Sequence, residues 1–253
     1  MAGFFGSILG LGGGIFIIPM LTLAFGLPMQ TAIATSLVCV IATSSGAANL
    51  YVKSGLANIR LGMTLELATT CGAITGGLLA GVISHSALSF IFSLLLLYAA
   101  ISMLTKKDKL ECQTEGSCVE AIPDYKVGNY PLGIVGSFFA GNVSGLLGVG
   151  GGIIKVPLMY LGMKIPLKVA TATSNFMIGV TAAASCFIFY SRGNLSLLVT
   201  ATTVSGVFVG AMLGGRVLPR LKTFWLNRFF VLVLLYLWLK MMFAGLGIKF
   251  LIF

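Results

Sequence analysis

The chain contains eight apolar stretches, each about 20 residues long or longer, and this feature constrains its fold more than any other. The stretches run over residues 3–25, 30–51, 61–83, 86–104, 131–162, 166–190, 195–215 and 224–247. A helix needs about 20 apolar residues to cross the roughly 30 Å hydrocarbon core of a bilayer. The stretches do not alternate between apolar and polar positions as barrel strands do. The sequence therefore predicts an all-α polytopic membrane protein.

The composition excludes the soluble protein classes. Apolar residues make up 58% of the 253 residues and charged residues 9%, whereas soluble domains average about 45–50% apolar and about 25% charged. The formal net charge of +10 would indicate a polyanion partner in a soluble protein, but membrane proteins carry such charge in loops on one face. We therefore expect the lipid bilayer as a partner and no nucleic acid, and the oligomeric state stays open.

The chain is an internal duplication. The sequence Gly12-Gly13-Gly14-Ile15 returns in the second half of the chain as Gly150-Gly151-Gly152-Ile153. The same offset, without any gap, relates further pairs of residues: Pro19 and Pro157, Pro28 and Pro166, Thr35-Ser36 and Thr173-Ser174, Gly55 and Gly193, Gly72 and Gly210, Gly76 and Gly214. We expect a first repeat at residues 1–104, a polar linker at 105–128 and a second repeat at 129–253.

The placement of lysine and arginine decides between two topologies. If all eight stretches span the membrane, the cations divide between the two faces without a clear bias. If the first stretch of each copy is instead a re-entrant hairpin, twelve cations fall on one face: Lys53, Arg60, Lys106, Lys107, Lys109, Lys126, Lys164, Lys168, Arg216, Arg220, Lys222 and Arg228. The positive-inside rule favours this second arrangement.

The second arrangement leaves three spanning helices in each copy, and an odd number requires the two copies to be inverted relative to each other. Inverted repeats with discontinuous helices near the midplane are typical of secondary transporters. The predicted fold class is therefore two inverted repeats, each a broken, re-entrant helical hairpin plus three transmembrane helices. The linker is expected in the cytoplasm and both termini outside.

The two glycine triplets are the predicted helix breaks. Glycine lets the backbone of residues 12–14 and 150–152 turn sharply, and a helix that starts after such a turn presents a partial positive end to an anion. Pro19 and Pro157 follow each triplet and are candidate helix-break or gating residues. The alternative is that the glycines are close-packing seams between helices, and this alternative applies with more force to Gly72 and Gly76.

Lys155 is the strongest single candidate for a substrate-binding residue in the sequence. It lies three residues after the second triplet, where the first copy has Ile17. A lysine inside a membrane costs roughly 2.5–3.5 kcal/mol unless it finds a partner or water, so we expect it to balance the charge of an anionic substrate. The alternative is a side chain that extends to the cytoplasmic face.

Polar residues near the breaks are the remaining candidates for substrate contact. Hydroxyl and amide groups donate hydrogen bonds to oxyanions without adding charge, and the candidates of this kind are Thr35, Ser36, Asn142, Ser144, Thr173, Ser174 and Asn175. Hydrogen bonding between helices is the alternative for each of them. Glu66 is a possible coupling residue, although its position near the cationic loop that ends at Arg60 favours an interfacial ion pair.

Two motifs carry a resemblance to a known family. Gly-Leu-Gly-Gly-Gly-Ile-Phe-Ile-Ile-Pro at 10–19 and Gly-Val-Gly-Gly-Gly-Ile-Ile-Lys-Val-Pro at 148–157, each followed by Ala-Thr-Ser, resemble the duplicated signature of the TauE/SafE sulfite exporter family. The resemblance covers nearly the whole chain except the linker. It implies a multi-pass inner-membrane carrier of small sulfur-containing anions such as sulfite, thiosulfate or organosulfonates, usually described as an exporter. One departure is that fewer residues precede Gly10 than lie between Pro131 and Gly148, so either the first arm is short or the sequence starts late.

The leading prediction is a secondary transporter of a small sulfur-containing anion that works by alternating access at a midplane site between the two breaks. A coupling ion, H+ or Na+, is possible. Alternatives are a channel-like facilitator of a small anion or neutral solute and, from a different class, a membrane-embedded redox protein. With one histidine, no Walker A motif and no zinc-ligand spacing, we expect no enzyme activity, no metal and no cofactor.

Overall fold

The computed structural model describes residues 3–4, 6, 12–53, 55, 57–105, 127–217, 232 and 235–243, and within them all regular structure is helical. The predicted linker lies almost wholly outside the described residues. The helices are α1 (Gly14–Pro19), α2 (Met29–Lys53), α3 (Ile59–Ala80), α4 (His85–Thr105), α5 (Tyr130–Leu147), α6 (Gly152–Pro157), α7 (Leu167–Ser191) and α8 (Leu197–Val217). Among these described residues, four segments are long and apolar enough to cross a membrane: Met29–Lys53, Ile59–Ala80, Tyr130–Leu147 and Val169–Ser191.

The chain divides into two compact units, each of which takes residues from both halves of the sequence. The first unit contains Met1–Ser84 and Tyr125–Pro219, and the second contains His85–Asp124 and Arg220–Phe253. In the second unit α4 and residues 235–243 are helical. There the Lys240 ammonium lies 5.1 Å from the centre of the Tyr236 ring.

The duplication in the sequence is repeated in the helices of the first unit. The starts of α1 and α6, of α2 and α7, and of α3 and α8 are separated by the same offset that relates the two glycine triplets. Left-handed backbone recurs at this offset too, since Gly26 has a φ of 63° and Lys164, its equivalent, has a φ of 57°. Lysine rarely adopts this conformation, so the second copy keeps the backbone of the first even where it lacks the glycine.

Neither proline interrupts the helical path. Pro19 is the last residue of α1, and Pro157 is the last residue of α6. After each proline the backbone continues directly into a π-helical turn, Met20–Ala24 or Leu158–Gly162. Proline has no N–H to donate, and the wider π turn that follows keeps the chain helical beyond it. Neither proline therefore breaks its helix, and the breaks lie at the glycines as predicted; a gating role of the prolines stays a prediction.

The segment from α5 to the end of the second π turn is a hairpin that starts and finishes at one end of the unit. The Gly128 N–H donates to the Met163 carbonyl at 3.2 Å, and Asn129 Nδ2 donates to the Gly162 carbonyl at 3.3 Å. The residues just before α5 and just after the π turn therefore lie side by side. The turn of the hairpin is the glycine-rich segment 148–151.

Hydrogen bonds at both ends give the direction of α3 relative to α7. The Asn58 N–H, at the start of α3, donates to Thr173 Oγ1 near the start of α7 at 3.0 Å. At the other end, the Arg192 guanidinium that follows α7 donates to the carbonyls of Gly77 and Leu78 in the last turn of α3, at 2.9 and 3.0 Å. The two helices therefore run in the same direction. Arg192 also stabilises the C-terminus of α3, where the last carbonyls have no intrahelical donor.

Helix α2 runs opposite to α3. The two are joined by the turn between Lys53 and Ile59, and Gln30 Nε2 at the start of α2 donates to the Ala80 carbonyl at the end of α3 at 3.4 Å. The start of each helix therefore lies near the end of the other, and the two helices are antiparallel.

A glycine seam joins α3 to α5. Gly72 and Gly76 on α3 face Gly141 and Gly145 on α5, so each helix presents a Gly-x-x-x-Gly pattern to the other. A β-carbon at any of the four would overlap a backbone carbonyl oxygen of the facing helix: Phe138, Asn142, Thr69 and Ala73, respectively. The seam interpretation of Gly72 and Gly76 is therefore confirmed, and the two backbones are close enough for Cα–H···O contacts.

Alanine substitution should test this seam. We expect Gly72→Ala or Gly141→Ala to force the helices apart and to destabilise the fold by about 1–3 kcal/mol, as overpacking does. Gly206→Ala on α8 is the matched control, because a β-carbon there meets nothing within 4 Å and alanine is the better helix former by about 1 kcal/mol. Thermal unfolding in detergent, followed by circular dichroism, measures both. Equal unfolding temperatures for the seam variants and the control would contradict the assignment.

Candidate functional site

The structure brings the two glycine breaks together. A β-carbon on Gly14 would lie 2.8 Å from the Gly148 carbonyl oxygen and 2.9 Å from Ser36 Oγ. Gly12 and Gly150 both pack against Val40 and Ile178, which are themselves equivalent in the two copies. The breaks thus meet around one pair of buried side chains from α2 and α7.

The backbone at the breaks requires glycine. Gly12, Gly13, Gly150 and Gly151 have φ values of 70°, 79°, 83° and 73°, in the left-handed region that side chains strongly disfavour. The helices start immediately after, since the N–H groups of residues 16–17 bond to the Gly13 carbonyl and those of residues 154–155 bond to the Gly151 carbonyl. The first N–H groups of each helix have no intrahelical acceptor. All the glycines of residues 12–14 and 148–152 are buried in this conformation.

Two hydroxyls from α2 hold the breaks. Ser36 Oγ donates to the Gly148 carbonyl at 2.9 Å, and Thr43 Oγ1 donates to the Gly12 carbonyl at 2.9 Å. One helix of the first copy therefore contacts the break of each copy. Ser36 was a predicted site residue, whereas Thr43 was missed because nothing in the local sequence links it to a segment 31 residues away.

Two other predicted hydroxyls are buried without a hydrogen-bond partner in the described part of the chain. Ser144 and Ser174 are both fully buried, and neither Oγ atom has a partner there. The Ser144 β-carbon lies 3.3 Å from the position of a β-carbon on Gly151, beside the second break. Unpartnered buried hydroxyls are uncommon and costly, and these two can donate to a ligand.

The other predicted polar residues make contacts within the helix framework. Asn175 Nδ2 donates to the Thr171 carbonyl of its own helix at 3.1 Å. The remaining three make contacts between elements: Thr35 with Thr200 at 3.3 Å, Thr173 with the Asn58 N–H at 3.0 Å, and Asn142 with Thr75 at 2.8 Å. The contacts of Thr35, Thr173 and Asn142 correspond to the alternative of interhelical hydrogen bonding that the sequence left open.

Lys155 forms a buried network with Glu66 and Thr181. Its Nζ lies 3.3 Å from Glu66 Oε2 and 2.8 Å from Thr181 Oγ1, and Thr181 Oγ1 donates to Glu66 Oε1 at 2.6 Å. The Lys155 side chain is 1% exposed and that of Glu66 is 9% exposed. The network joins α6, α3 and α7 through one closed set of hydrogen bonds.

One alternative and one expectation from the sequence are wrong at this point. Lys155 does not extend to a membrane face, because its ammonium is buried against Glu66. Glu66 does not pair at the interface with the loop that ends at Arg60, because its carboxylate faces inward to Lys155 and Thr181. Burial of either charge alone would be far more costly than burial of the pair.

The network joins the two copies and has no counterpart at the positions related by the repeat. At the positions related by the repeat, the first copy has Ile17 in place of Lys155, and the second copy has Val204 in place of Glu66. Thr181 corresponds to Thr43, whose hydroxyl binds a glycine carbonyl instead. Lys155 and Glu66 both differ from their equivalents in the repeat, and this shared difference is the signal in the sequence that could have linked them.

Within the described residues, no group of three histidine, cysteine, aspartate or glutamate side chains lies close enough to hold a metal ion. The lysine, the carboxylate and the serine hydroxyls near the breaks can bind an anion and hold a proton. These are the groups that the site offers for chemistry.

Comparisons with known proteins point to a single family. Residues 1–241 match the family model described as Sulfite exporter TauE/SafE. The chain is 27% identical to the probable membrane transporter protein YunE of Bacillus subtilis, over 88% of this chain and 87% of that protein. It is 28% identical to a probable membrane transporter protein of Methanocaldococcus jannaschii, over 82% of this chain and 72% of the relative. No solved structure gives a significant match.

The ion pair between Lys155 and Glu66 should contribute measurably to the free energy of unfolding. We expect Lys155→Met and Glu66→Gln each to destabilise the fold, by up to about 3–5 kcal/mol, because each leaves one buried group without its partner. The double variant should recover most of the loss, since both charges are then gone. Ile17→Met, at the equivalent position of the first copy, is the control and should cost less than about 1.5 kcal/mol. Single variants that unfold in detergent at the wild-type temperature would show that the pair does not form.

Proposed function

Because the chain belongs to the TauE/SafE sulfite exporter family of membrane transporters, we propose that it is a secondary transporter of a small sulfur-containing anion. Sulfite, thiosulfate and organosulfonates are the candidate substrates, and export is the proposed direction. The observation that carries the proposal is the family match over residues 1–241. The meeting of the two glycine breaks supports a site at this point of the molecule.

The proposed substrate site lies between the breaks. It combines the first N–H groups of α1 and α6 with the hydroxyls of Ser144 and Ser174, which donate hydrogen bonds but carry no charge. Ser36 lines the same site, with its hydroxyl bonded to the Gly148 carbonyl. Uncharged donors favour release as well as binding. In the described conformation the breaks are buried against each other, so the substrate enters only when one of them moves away.

The proposed mechanism is alternating access between two inverted copies. Supporting it, α2 runs opposite to α3, while α3 and α7 run in the same direction. It follows that α2 and α7, which are equivalent helices of the two copies, have opposite directions. Two copies in opposite directions can each give access from one side of the membrane.

The proposed topology has two re-entrant hairpins, six spanning helices and both termini outside the inner membrane. Exposed Lys53 and Arg60 flank the turn before α3, which contacts the start of α7, and Lys164 lies in the loop just before α7. Arg192 lies at the opposite end of the unit, beside the end of α3. This distribution supports a cytoplasmic face at the end that carries Lys53 and Lys164.

The alternative function is a channel-like facilitator, which differs from a carrier in its kinetics. A carrier saturates with substrate because each anion requires a change of conformation, whereas a channel passes anions in proportion to their concentration. Buried breaks that close the path between the copies favour the carrier.

Flux into proteoliposomes tests the function and the site together. We expect saturable uptake of labelled sulfite, thiosulfate or sulfoacetate by the wild type, and a loss of about tenfold or more in the variant with Ser144→Ala and Ser174→Ala, because each hydroxyl would donate to a charged ligand. The same variant should unfold at or above the wild-type temperature, since it removes two unpartnered hydroxyls. Ser45→Ala, which removes an exposed hydroxyl bonded within its own helix, is the control. Linear uptake would favour the channel, and no uptake of any of the three anions would overturn the proposed function.

Cysteine labelling tests the topology. In a variant without native cysteines, Lys53→Cys and Val82→Cys place exposed thiols in the turns at opposite ends of α3. A membrane-impermeant maleimide should label the Val82→Cys variant in intact spheroplasts and the Lys53→Cys variant only after lysis. The reverse result would invert the proposed orientation.

A further inference from the structure

We infer that Glu66 takes up one proton for each anion that binds, because protonation of Glu66 releases Lys155 to pair with the anion. This inference rests on the proposed function and adds the coupling ion and the role of each residue. It follows from the closed network of Lys155, Glu66 and Thr181.

The geometry shows why Lys155 cannot hold an anion while Glu66 is charged. The ammonium lies 3.3 Å from the carboxylate, so the two charges cancel and the pair offers no net attraction to an incoming anion. Thr181 strengthens this state, since its one hydroxyl proton points to Glu66 Oε1 at 2.6 Å while its oxygen accepts from Lys155 at 2.8 Å. A proton on Glu66 removes the negative charge and leaves Lys155 as a buried cation in need of a counterion.

The position of Lys155 connects it to the proposed site. Its own N–H donates to the Gly151 carbonyl at 3.0 Å, so the residue belongs to the first turn after the second break. The Ser144 side chain lies against the same Gly151. An anion at the break therefore lies about one helical turn, roughly 5 Å, from the backbone of the residue that carries the cation.

The other described ionisable groups near Glu66 do not form the charge pair that the proton would break. The described ones on α3 and on the elements packed against it are Arg60, Cys71, Tyr130, Tyr160, Cys186, Tyr190 and Arg192, together with Lys155. Within the described residues, the one ion pair of Glu66 is with Lys155. Arg192 is bonded to the carbonyls at the far end of α3. The remaining contact of the carboxylate on its own helix is the Thr70 hydroxyl at 3.4 Å, which has no charge to give.

The charge balance of a cycle follows from these roles. The empty carrier changes conformation with Glu66 ionised and Lys155 protonated. The loaded carrier changes conformation with Glu66 protonated, Lys155 protonated and one anion bound. The proton comes from water on the side where the anion binds and returns to water on the side where it leaves. One proton therefore moves with each anion in the same direction, so an inward proton gradient drives uptake, and export needs an outward driving force on the anion that exceeds it. Ile17 and Val204 occupy the positions equivalent to Lys155 and Glu66, so the repeat provides no second site of this kind.

The test is the number of charges moved per anion. Proteoliposomes with potassium and valinomycin set the membrane potential, and the dependence of thiosulfate, sulfite or sulfoacetate flux on that potential gives the charge per turnover. We expect Glu66→Gln to add one negative charge per anion relative to the wild type, because its cycle carries no proton. It should also lose the acceleration that an inward proton gradient gives to wild-type uptake.

The double variant with Lys155→Met and Glu66→Gln separates coupling from a structural role. A pair that only stabilises the fold predicts normal flux in this neutral variant, whereas the inference predicts a folded protein with saturable flux lost. Equal charge per anion in the wild type and Glu66→Gln, or wild-type flux that ignores a proton gradient, would overturn the inference and leave transport standing. If Glu66→Gln does not fold, the response of wild-type flux to the proton gradient decides whether the inference stands. Absence of flux for all three anions would overturn the proposed function and the inference with it.

Discussion

Backbone that leaves a helix inside a membrane must be covered by protein, because an unpaired amide in lipid costs several kcal/mol. The described part of this chain has two such segments at the glycine triplets, and each lies against the other. Gly14 contacts the Gly148 carbonyl, and Gly12 and Gly150 share the side chains of Val40 and Ile178. The irregular segments are therefore stable only while the two copies are packed together, and neither copy could keep its break buried alone.

The duplication supplies a symmetric backbone, and a few side chains make its two halves different. Bounds of helices, π turns and left-handed glycines recur at one offset. At Lys155 and Glu66 the symmetry ends, since their equivalents are Ile17 and Val204. Part of the second hairpin's attachment is therefore a charged pair, whereas the first copy has Ile17 where the lysine would be.

The backbone was largely predictable from the sequence, because glycine and proline fix the local conformation and the ungapped repeat presents each motif twice. The seam at Gly72 and Gly76 followed for the same reason, since small residues four apart let helices approach. The partners of the polar side chains were not predictable. Lys155 and Glu66 are 89 residues apart, and a contact at that separation depends on how three helices pack, which periodicity within one helix does not reveal.

The two ways in which the second hairpin is attached to α3 differ in what can break them. Its first arm, α5, is joined by glycine contacts in which each Cα faces a carbonyl oxygen, and such contacts do not respond to pH or to a bound anion. Its second arm, α6, is joined by the pair of Lys155 and Glu66, whose strength depends on both charges. If the seam keeps α5 against α3, the proposed movement that exposes the break involves α6 and the glycine turn before it. In the proposed mechanism, the charge pair is then the contact on which an anion and a proton act.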